Sequence, residues 1–324
     1  MSELLAERFH REGHQVLVVT RTAASTEPAG PVSVLRKPSW YELWNAVRWA
    51  DVVFHNNVSL RMAWPLLALR RPWVIAHHTW APRSGAGAFA GLLKHAATRF
   101  AKNIAVSEAM ARSLNVPAVI IPNPYDESLF VARPCEHRDK DIVFLGRLVS
   151  DKGVAVLIEA LSRLRRRGHE RRLTVIGTGP EEKALRAQVG ALKLDTCVEF
   201  LGVRRGAELV TLLCQHRILV VPSVWEEPFG VVVLEAIACG LVPIVAQSGG
   251  LPDAVGRCGI IVPKSDSAAL ADAIDSLAGD ELRMAQFRAA APLHLAQHTR
   301  NRIAAAYLQV LETTVRRDTQ SPAC

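Results

Sequence analysis

The sequence predicts an α/β protein built from two doubly wound, Rossmann-like domains, and three features of the chain carry that expectation. Short aliphatic runs alternate with helical patterns from end to end, as parallel strands buried on both faces require. Hydrophobic residues make up 49% of the chain and aromatic residues only 6%, so there is apolar material for two cores of mainly aliphatic side chains. A length of 324 residues exceeds one ordinary domain.

The chain opens with a helix. Ser2 reads as its N-cap, Leu4, Leu5 and Phe9 as its apolar stripe, and Gly13 as its stop. Strands are expected at 15–19, 33–35, 51–54, 73–76, 104–106 and 119–121 in the first half. In the second half they are expected at 142–145, 173–176, 198–201, 218–221, 242–245 and 260–262. Between the halves, "FVARPCEHRDKD" is polar, charged and contains proline, the composition of a linker. The expected division is a first domain over 1–130, a linker over 131–140 and a second domain over 141–290. Helices are expected over 267–277 and about 293–315; the latter, within a C-terminal 291–324 segment, is long enough to cross back to the first domain.

Composition narrows the function. The formal net charge is +8, which suits anionic partners such as nucleic acid, acidic lipid headgroups or a phosphorylated substrate. Nucleic acid is set aside, because no basic–aromatic interleaving accompanies the charge. Six scattered cysteines (Cys135, Cys197, Cys214, Cys239, Cys258 and Cys324) lack metal-ligand spacing and read as reduced thiols of a cytoplasmic protein. No signal peptide is visible. The longest apolar stretch, "VVVLEAIACGLVPIVA", holds Glu235, Gly240 and Pro243 and is too short to span a bilayer.

The chemistry concentrates in the second half. In "FLGRLVSDKG" a strand runs into Gly146, and Arg147 and Lys152 follow before a helix. Two cations at the carboxyl end of a strand, beside a helix N-terminus, suit a diphosphate; a pair of solvated surface charges would look the same. "TVIGTGPEEKAL" places Gly177 and Gly179 in a strand-to-helix turn that lacks the third glycine of a dinucleotide loop. In "VVPSVWEEPFGVVVLEAIACGLVPIVAQSGGLPDAV", Pro228 keeps Glu227 out of helical conformation, just ahead of a helix starting near Phe229 or Gly230. The free amides of Phe229, Gly230 and Val231 lie beside that carboxylate. Glu235 lies roughly 8 Å further along the axis, among apolar neighbours where an unpaired carboxylate is costly. One carboxylate at the mouth and one deeper in suit two sets of hydroxyls on an extended ligand.

These stretches, with "VEFLG" and "GIIVP" in the same order, resemble the retaining, nucleotide-sugar-dependent family 4 glycosyltransferases of the GT-B fold. Glu227 and Glu235 form the family's E-x7-E pair with EPFG at its head. "IAVSEAMARSL" and "VIIPNPYDESLF" match in the first half, with Pro124 where glycine is commoner. The resemblance spans residues 2 to about 315 and implies two domains facing across a cleft. It implies that Gly146, Arg147, Lys152 and Gly177 lie against the donor, the two cations holding its diphosphate as the glycosidic bond breaks. Glu235 would accept ribose hydroxyls, and Glu227 with the amides of Phe229, Gly230 and Val231 would hold the donor sugar. Leu201 and Gly202 would contact the base. His78 matches a histidine near the reacting centre, with His77 its immediate rival, so the implied catalytic set is His78, Arg147, Lys152 and Glu227. No cofactor and no metal are implied; the lone DxD, Asp139 and Asp141, precedes a strand instead of following one.

The acceptor is expected at first-domain strand ends, at His55, Asn57 and His78, although turn chemistry accounts equally for Asn56 and Asn57. The family also has a first strand and a glycine-rich loop ahead of the helix that here begins at Ser2. Such a strand is usually central, so its neighbours are expected to lack a partner. The native start is then expected upstream, or the chain is a truncated relative with impaired activity. "AGAFAGLLKHAATRFAKN" reads as a basic amphipathic helix, with Phe89, Leu92, Leu93, Ala96 and Phe100 opposite Lys94, His95, Arg99 and Lys102. Packing on a sheet is its ordinary explanation and an anionic membrane surface the alternative. The expected function is transfer of a sugar to a glycan or lipid-linked acceptor in cell-surface polysaccharide or glycolipid synthesis, in the cytoplasm or peripherally on the inner face of the plasma membrane. The competing reading is a degenerate relative that binds nucleotide or glycan without turnover.

Overall fold

The computed structural model describes residues 1–23, 31–80, 88–132 and 138–320. Cys135, Cys324 and the middle of the expected linker lie outside these residues. The chain divides into two units, Met1–Pro122 with the residues from Arg300 onward, and Asn123–Thr299. Composition placed the division at 131–140; it falls between Pro122 and Asn123, because Tyr125 and Phe130 are buried and the Tyr125 amide donates to the carbonyl of His298 (3.2 Å).

The first unit runs α1 (Ser2–Arg11), β1 (Leu17–Thr20), β2 (Ser33–Arg36), α2 (Trp40–Trp49), β3 (Val53–Asn56), α3 (Leu60–Ala63), β4 (Trp73–His77), α4 (Ala88–Ala97), β5 (Lys102–Ala105), α5 (Glu108–Leu114) and β6 (Ala118–Ile120). All its ladders are parallel. They form two separate sheets, β1-β2 and β3-β4-β5-β6. β1 pairs only with β2 and β3 only with β4, so among the described strands each keeps one open edge. Ser2 does not cap α1: Met1 occupies that position, and the Ser2 hydroxyl accepts from Asn56 Nδ2 (2.7 Å).

The second unit runs β7 (Lys140–Leu145), α6 (Val154–Arg166), β8 (Leu173–Ile176), α7 (Glu182–Ala191), β9 (Val198–Gly202), α8 (Gly206–Gln215), β10 (His216–Val221), α9 (Val231–Ala238), β11 (Val242–Ala246), α10 (Leu251–Val255), β12 (Ile260–Val262), α11 (Ser267–Ala278) and α12 (Glu281–Leu295). Its six strands are parallel in the order β12-β11-β10-β7-β8-β9. The order reverses between β7 and β10, the switch point at which open α/β sheets bind ligands beyond their strands' carboxyl ends. The register there sets Ile142 beside Ile218 and Val143 beside Leu219, all four fully or almost fully buried. Leu157, Ile158, Leu161 and Leu164 of α6 close one face over Ile142, Phe144 and Val175. Cys197, Cys214, Cys239 and Cys258 are buried and free.

One continuous helix over 293–315 does not form. α12 stops at Leu295, and α13 (Arg300–Gln320) begins after a break that buries His298. α13 belongs to the first unit. Ile303, Ala304, Tyr307, Val310 and Leu311 share one face and join Leu5 and Phe9 of α1 against Val74, Ala76 and Ile104 of the sheet. No helix among the described residues is long and apolar enough to cross a membrane.

Tyr307 is the pivot of that core, fully buried and edge-on to Phe54 at 5.8 Å between ring centroids. Its hydroxyl, buried with it, has no hydrogen-bond partner among the described residues. Tyr307→Ala is therefore expected to cost about 3–5 kcal/mol. Tyr307→Phe, which removes only the unsatisfied hydroxyl, should be neutral or stabilising by about 1 kcal/mol. Denaturant melts of the two variants check this; a Phe variant as unstable as the Ala variant would show that the hydroxyl is bonded.

Candidate functional site

The site is built at the switch point of the second unit. After β7 the chain turns at Gly146, whose amide donates to the Ile176 carbonyl (3.0 Å), and Gly177 in turn donates to the Gly202 carbonyl (2.8 Å). The ends of β7, β8 and β9 are thereby tied side by side. A Cβ on Gly177 would lie 1.8 Å from the Gly146 carbonyl oxygen, so this close approach requires glycine. Leu201 and Gly202 end β9, both partly exposed. Arg147 is exposed and pairs with no carboxylate among the described residues.

Lys152 ends a short 3-10 turn (Ser150–Lys152), and Gly153 follows with φ of 68°. A Cβ there would come within 2.0 Å of the Pro222 carbonyl oxygen, so glycine alone lets the β7 loop lie against the β10 loop. The amide of Val224 donates to the Asp151 carbonyl (2.9 Å) and fixes the contact. The result is an ion pair, Lys152 Nζ to Glu227 Oε1 at 2.5 Å, with the two side chains 28% and 15% exposed. The same carboxylate oxygen accepts from Ser223 Oγ (2.8 Å), and the Glu227 carbonyl accepts from the Gly250 amide (2.7 Å). Glu226 turns elsewhere, to Lys264 Nζ and the Gly249 amide, both at 2.5 Å.

Pro228 and buried Phe229 lead to Gly230, which sits at φ of 106° in the N-cap position of α9. Phe229 is held by His298, 5.6 Å away between ring centroids, and burial keeps that imidazole neutral by lowering its pKa to about 4. Among the described residues, the amides of Phe229, Gly230 and Val231 make no backbone hydrogen bond. A helix N-terminus with open amides attracts anions. Glu235 projects from α9, partly buried, and no described residue donates to it. Its pKa is pushed up to about 7, chiefly by burial and secondly by the negative charge of Asp126. The arrangement thus offers cations and open amides for phosphates, with two carboxylates for hydroxyls.

In the first unit the expected residues stand at carboxyl ends of β3 and β4. Asn57, at φ of 63°, spends its side-chain oxygen on the loop after β4, accepting from the amides of His78 (2.8 Å) and Thr79 (3.2 Å). His55 accepts from Trp73 Nε1 (3.1 Å), and burial lowers its pKa to about 4. Both are occupied in holding the unit together. His77 is buried, with Nε2 3.0 Å from Asn103 Oδ1, which leaves His78 as the histidine beyond the strand end. Asp141 meets the Arg172 amide (3.2 Å) at the start of β7, the opposite end of the strand from Gly146.

The Glycosyltransferase Family 4 model matches residues 3–129, and the Glycosyl transferases group 1 model matches residues 127–294, just over half of the chain. The chain belongs to the family 4 glycosyltransferases. A phosphatidyl-myo-inositol mannosyltransferase of Mycobacterium leprae is 31% identical to it over 271 residues, covering 80% of this chain and 71% of the relative. A D-inositol 3-phosphate glycosyltransferase of Corynebacterium jeikeium is 38% identical over 170 residues, which is 49% of this chain but only 40% of that relative's length. Among solved structures, Anabaena Alr3699/HepE in complex with UDP and glucose has a TM-score of 0.76 at 21% identity, covering 95% of this chain and 94% of that one. A glycosyltransferase from Rickettsia africae has a TM-score of 0.78 at 16% identity, covering 97% and 94%. At these identities the likeness is one of fold, and that fold is GT-B.

Two participants in this family 4 glycosyltransferase escape a reading of the sequence. Ser223 fixes the Glu227 carboxylate and signals itself only by lying four residues ahead of it. Asp126, which bears on Glu235, falls within the stretch that composition assigned to the first domain.

The raised pKa of Glu235 makes stability depend on pH. The unfolded carboxyl ionises near 4.5 and the folded one near 7, so between those values the unfolded chain sheds its proton first and stability falls as pH rises, levelling above about 7. Glu235→Gln cannot ionise. It is expected to be more stable than the parent by up to about 3 kcal/mol near pH 8, with the difference closing below about pH 4.5. Denaturation midpoints across that range check it, and a pH-independent difference would place the carboxylate in solvent.

Proposed function

We propose that this chain transfers a sugar from a nucleotide-sugar donor to a glycan or lipid-linked acceptor, with retention of configuration, in cell-surface polysaccharide or glycolipid synthesis. The observation that carries the reading is the Lys152–Glu227 pair at the mouth of α9, with Arg147 and the open amides of residues 229–231 around it and Glu235 set deeper. Arg147, Lys152 and the α9 N-terminus would take up the charge of the departing diphosphate, so no metal or other cofactor is needed. Glu235 would accept the ribose hydroxyls, Leu201 and Gly202 would border the base, and Glu227 would hold the sugar. His78, in the first unit, is the histidine that the family resemblance assigns to the reaction. An anion that draws Lys152 away frees one lone pair of Glu227 for a sugar hydroxyl, which couples phosphate capture to sugar binding.

The solved structure that holds UDP and glucose supports a nucleotide donor, and the phosphatidyl-myo-inositol mannosyltransferase relative supports a lipid-linked acceptor. The divided sheet of the first unit favours a second reading, a relative that binds the nucleotide without turnover.

Thermal stabilisation by UDP, GDP, ADP and their sugar conjugates tests the proposal. One nucleotide is expected to raise the melting temperature, more so as its sugar conjugate, and equally in the presence of a metal chelator. Glu235→Gln should weaken that ligand roughly ten- to hundredfold, as loss of a charged hydrogen bond predicts, even though it stabilises the free protein near neutral pH. A cooperative melt that no nucleotide shifts would sink the proposal. Binding without sugar transfer would select the second reading.

A further inference from the structure

We propose that the outward face of α4, with the turn that follows it, docks on an anionic lipid bilayer. The sequence gives α4 one apolar face, and the ordinary expectation is that such a face covers a sheet. The structure shows the reverse. Phe89, Leu92, Leu93 and Phe100 are 72%, 64%, 43% and 82% exposed, while Gly91 and Thr98 are buried and Lys94 and His95 partly so. The inner side is held by polar bonds: Thr98 Oγ1 donates to the His95 carbonyl (2.7 Å), and Asn103 Nδ2 donates to the Thr98 carbonyl (2.8 Å). Two apolar clusters of described residues in the unit, one of α1 and α13 against the sheet and one at α5, include none of the four. A contiguous exposed apolar face of this kind marks an interaction surface.

Charge identifies what covers it. Between Asp51 and Glu108 the sequence has no Asp or Glu and seven Lys or Arg. Lys94, Arg99 and Lys102 flank the apolar face, and among the described residues none of them pairs with a carboxylate. Arg99 and Lys102 also line a hollow of about 270 Å3 with Thr98, Asn103 and Pro117, of a size for a phosphate headgroup. Large apolar side chains on one face of a short helix, bordered by cations and no anion, match the layering of a bilayer surface, with acyl chains beneath phosphates. A helix of ten residues lies in that interface and does not cross it. The surface belongs to the first unit and the proposed donor site to the second, so either assignment can fail without the other.

The test is co-sedimentation of the whole chain with phosphatidylcholine vesicles, with and without about one third phosphatidylglycerol. The parent is expected to partition onto the anionic vesicles, and far less onto neutral ones or at about 0.5 M salt. Phe89→Ser with Leu92→Ser and Leu93→Ser should weaken partition roughly tenfold or more, with the melting temperature unchanged because all three side chains are exposed. Lys94→Glu with Arg99→Glu should do the same and serves where the apolar variant fails to melt cooperatively. A parent that stays in solution, or variants that partition as the parent does, would overturn the proposal. So would a concentration-dependent dimer that these substitutions dissolve, which would assign the face to a second copy.

Discussion

Lys152 and Glu227 arrive at one another from opposite sides of the point where the second sheet reverses its strand order. Lys152 follows β7 and Glu227 follows β10, and their pairing depends on how closely the two loops approach. Gly153 sets that distance, since any side chain there would strike the Pro222 carbonyl. A partly buried pair of this kind gains little stability for the fold, because desolvation offsets most of the Coulomb attraction. Its value is positional. It keeps a cation and a carboxylate in fixed places at the mouth of a helix whose first amides are open, and Ser223 stops the carboxylate from rotating away.

Glu235 shows the opposite economy. It sits in an apolar helix with no donor among the described residues and a second carboxylate, Asp126, near enough to be felt. A fold selected for stability alone would place an amide or an aliphatic residue there. That unrelieved cost is why the proposed function gives Glu235 a ligand's hydroxyls to bind.

All twelve expected strands form, each boundary within two residues of the range read from sequence. They were legible because parallel strands buried on both faces must be short, aliphatic and punctuated by turns. The places of Gly146, Lys152, Gly177 and Glu227 in loops after strands were legible for a related reason: glycines and prolines at strand ends announce sharp turns at the carboxyl edge. Other features were not local. The break between α12 and α13 lies in "AQHT", which contains neither glycine nor proline, and it exists because His298 is drawn inward against Phe229 and the 123–125 segment. Periodicity showed which residues of α4 share a face and said nothing of what that face meets. Ser2 looked like a cap because serine favours caps, yet its hydroxyl is claimed by Asn56, 54 residues away. The first unit also cannot complete its core until the last helix is made, since Tyr307 and Val310 fill it alongside Leu5. Such closure across the whole chain is a slow, entropically expensive contact to form.

Among the described strands, the two sheets of the first unit leave β1 and β3 each with one unpaired edge. A parallel strand with a bare row of amides and carbonyls is a template for any extended segment that reaches it. Neither strand carries a proline, a bulge or an inward charge to discourage such an approach, and each is only four residues long, enough for a brief ladder. Among the described residues these two edges can therefore take up an extended segment by backbone pairing, a mode of association distinct from the apolar face of α4.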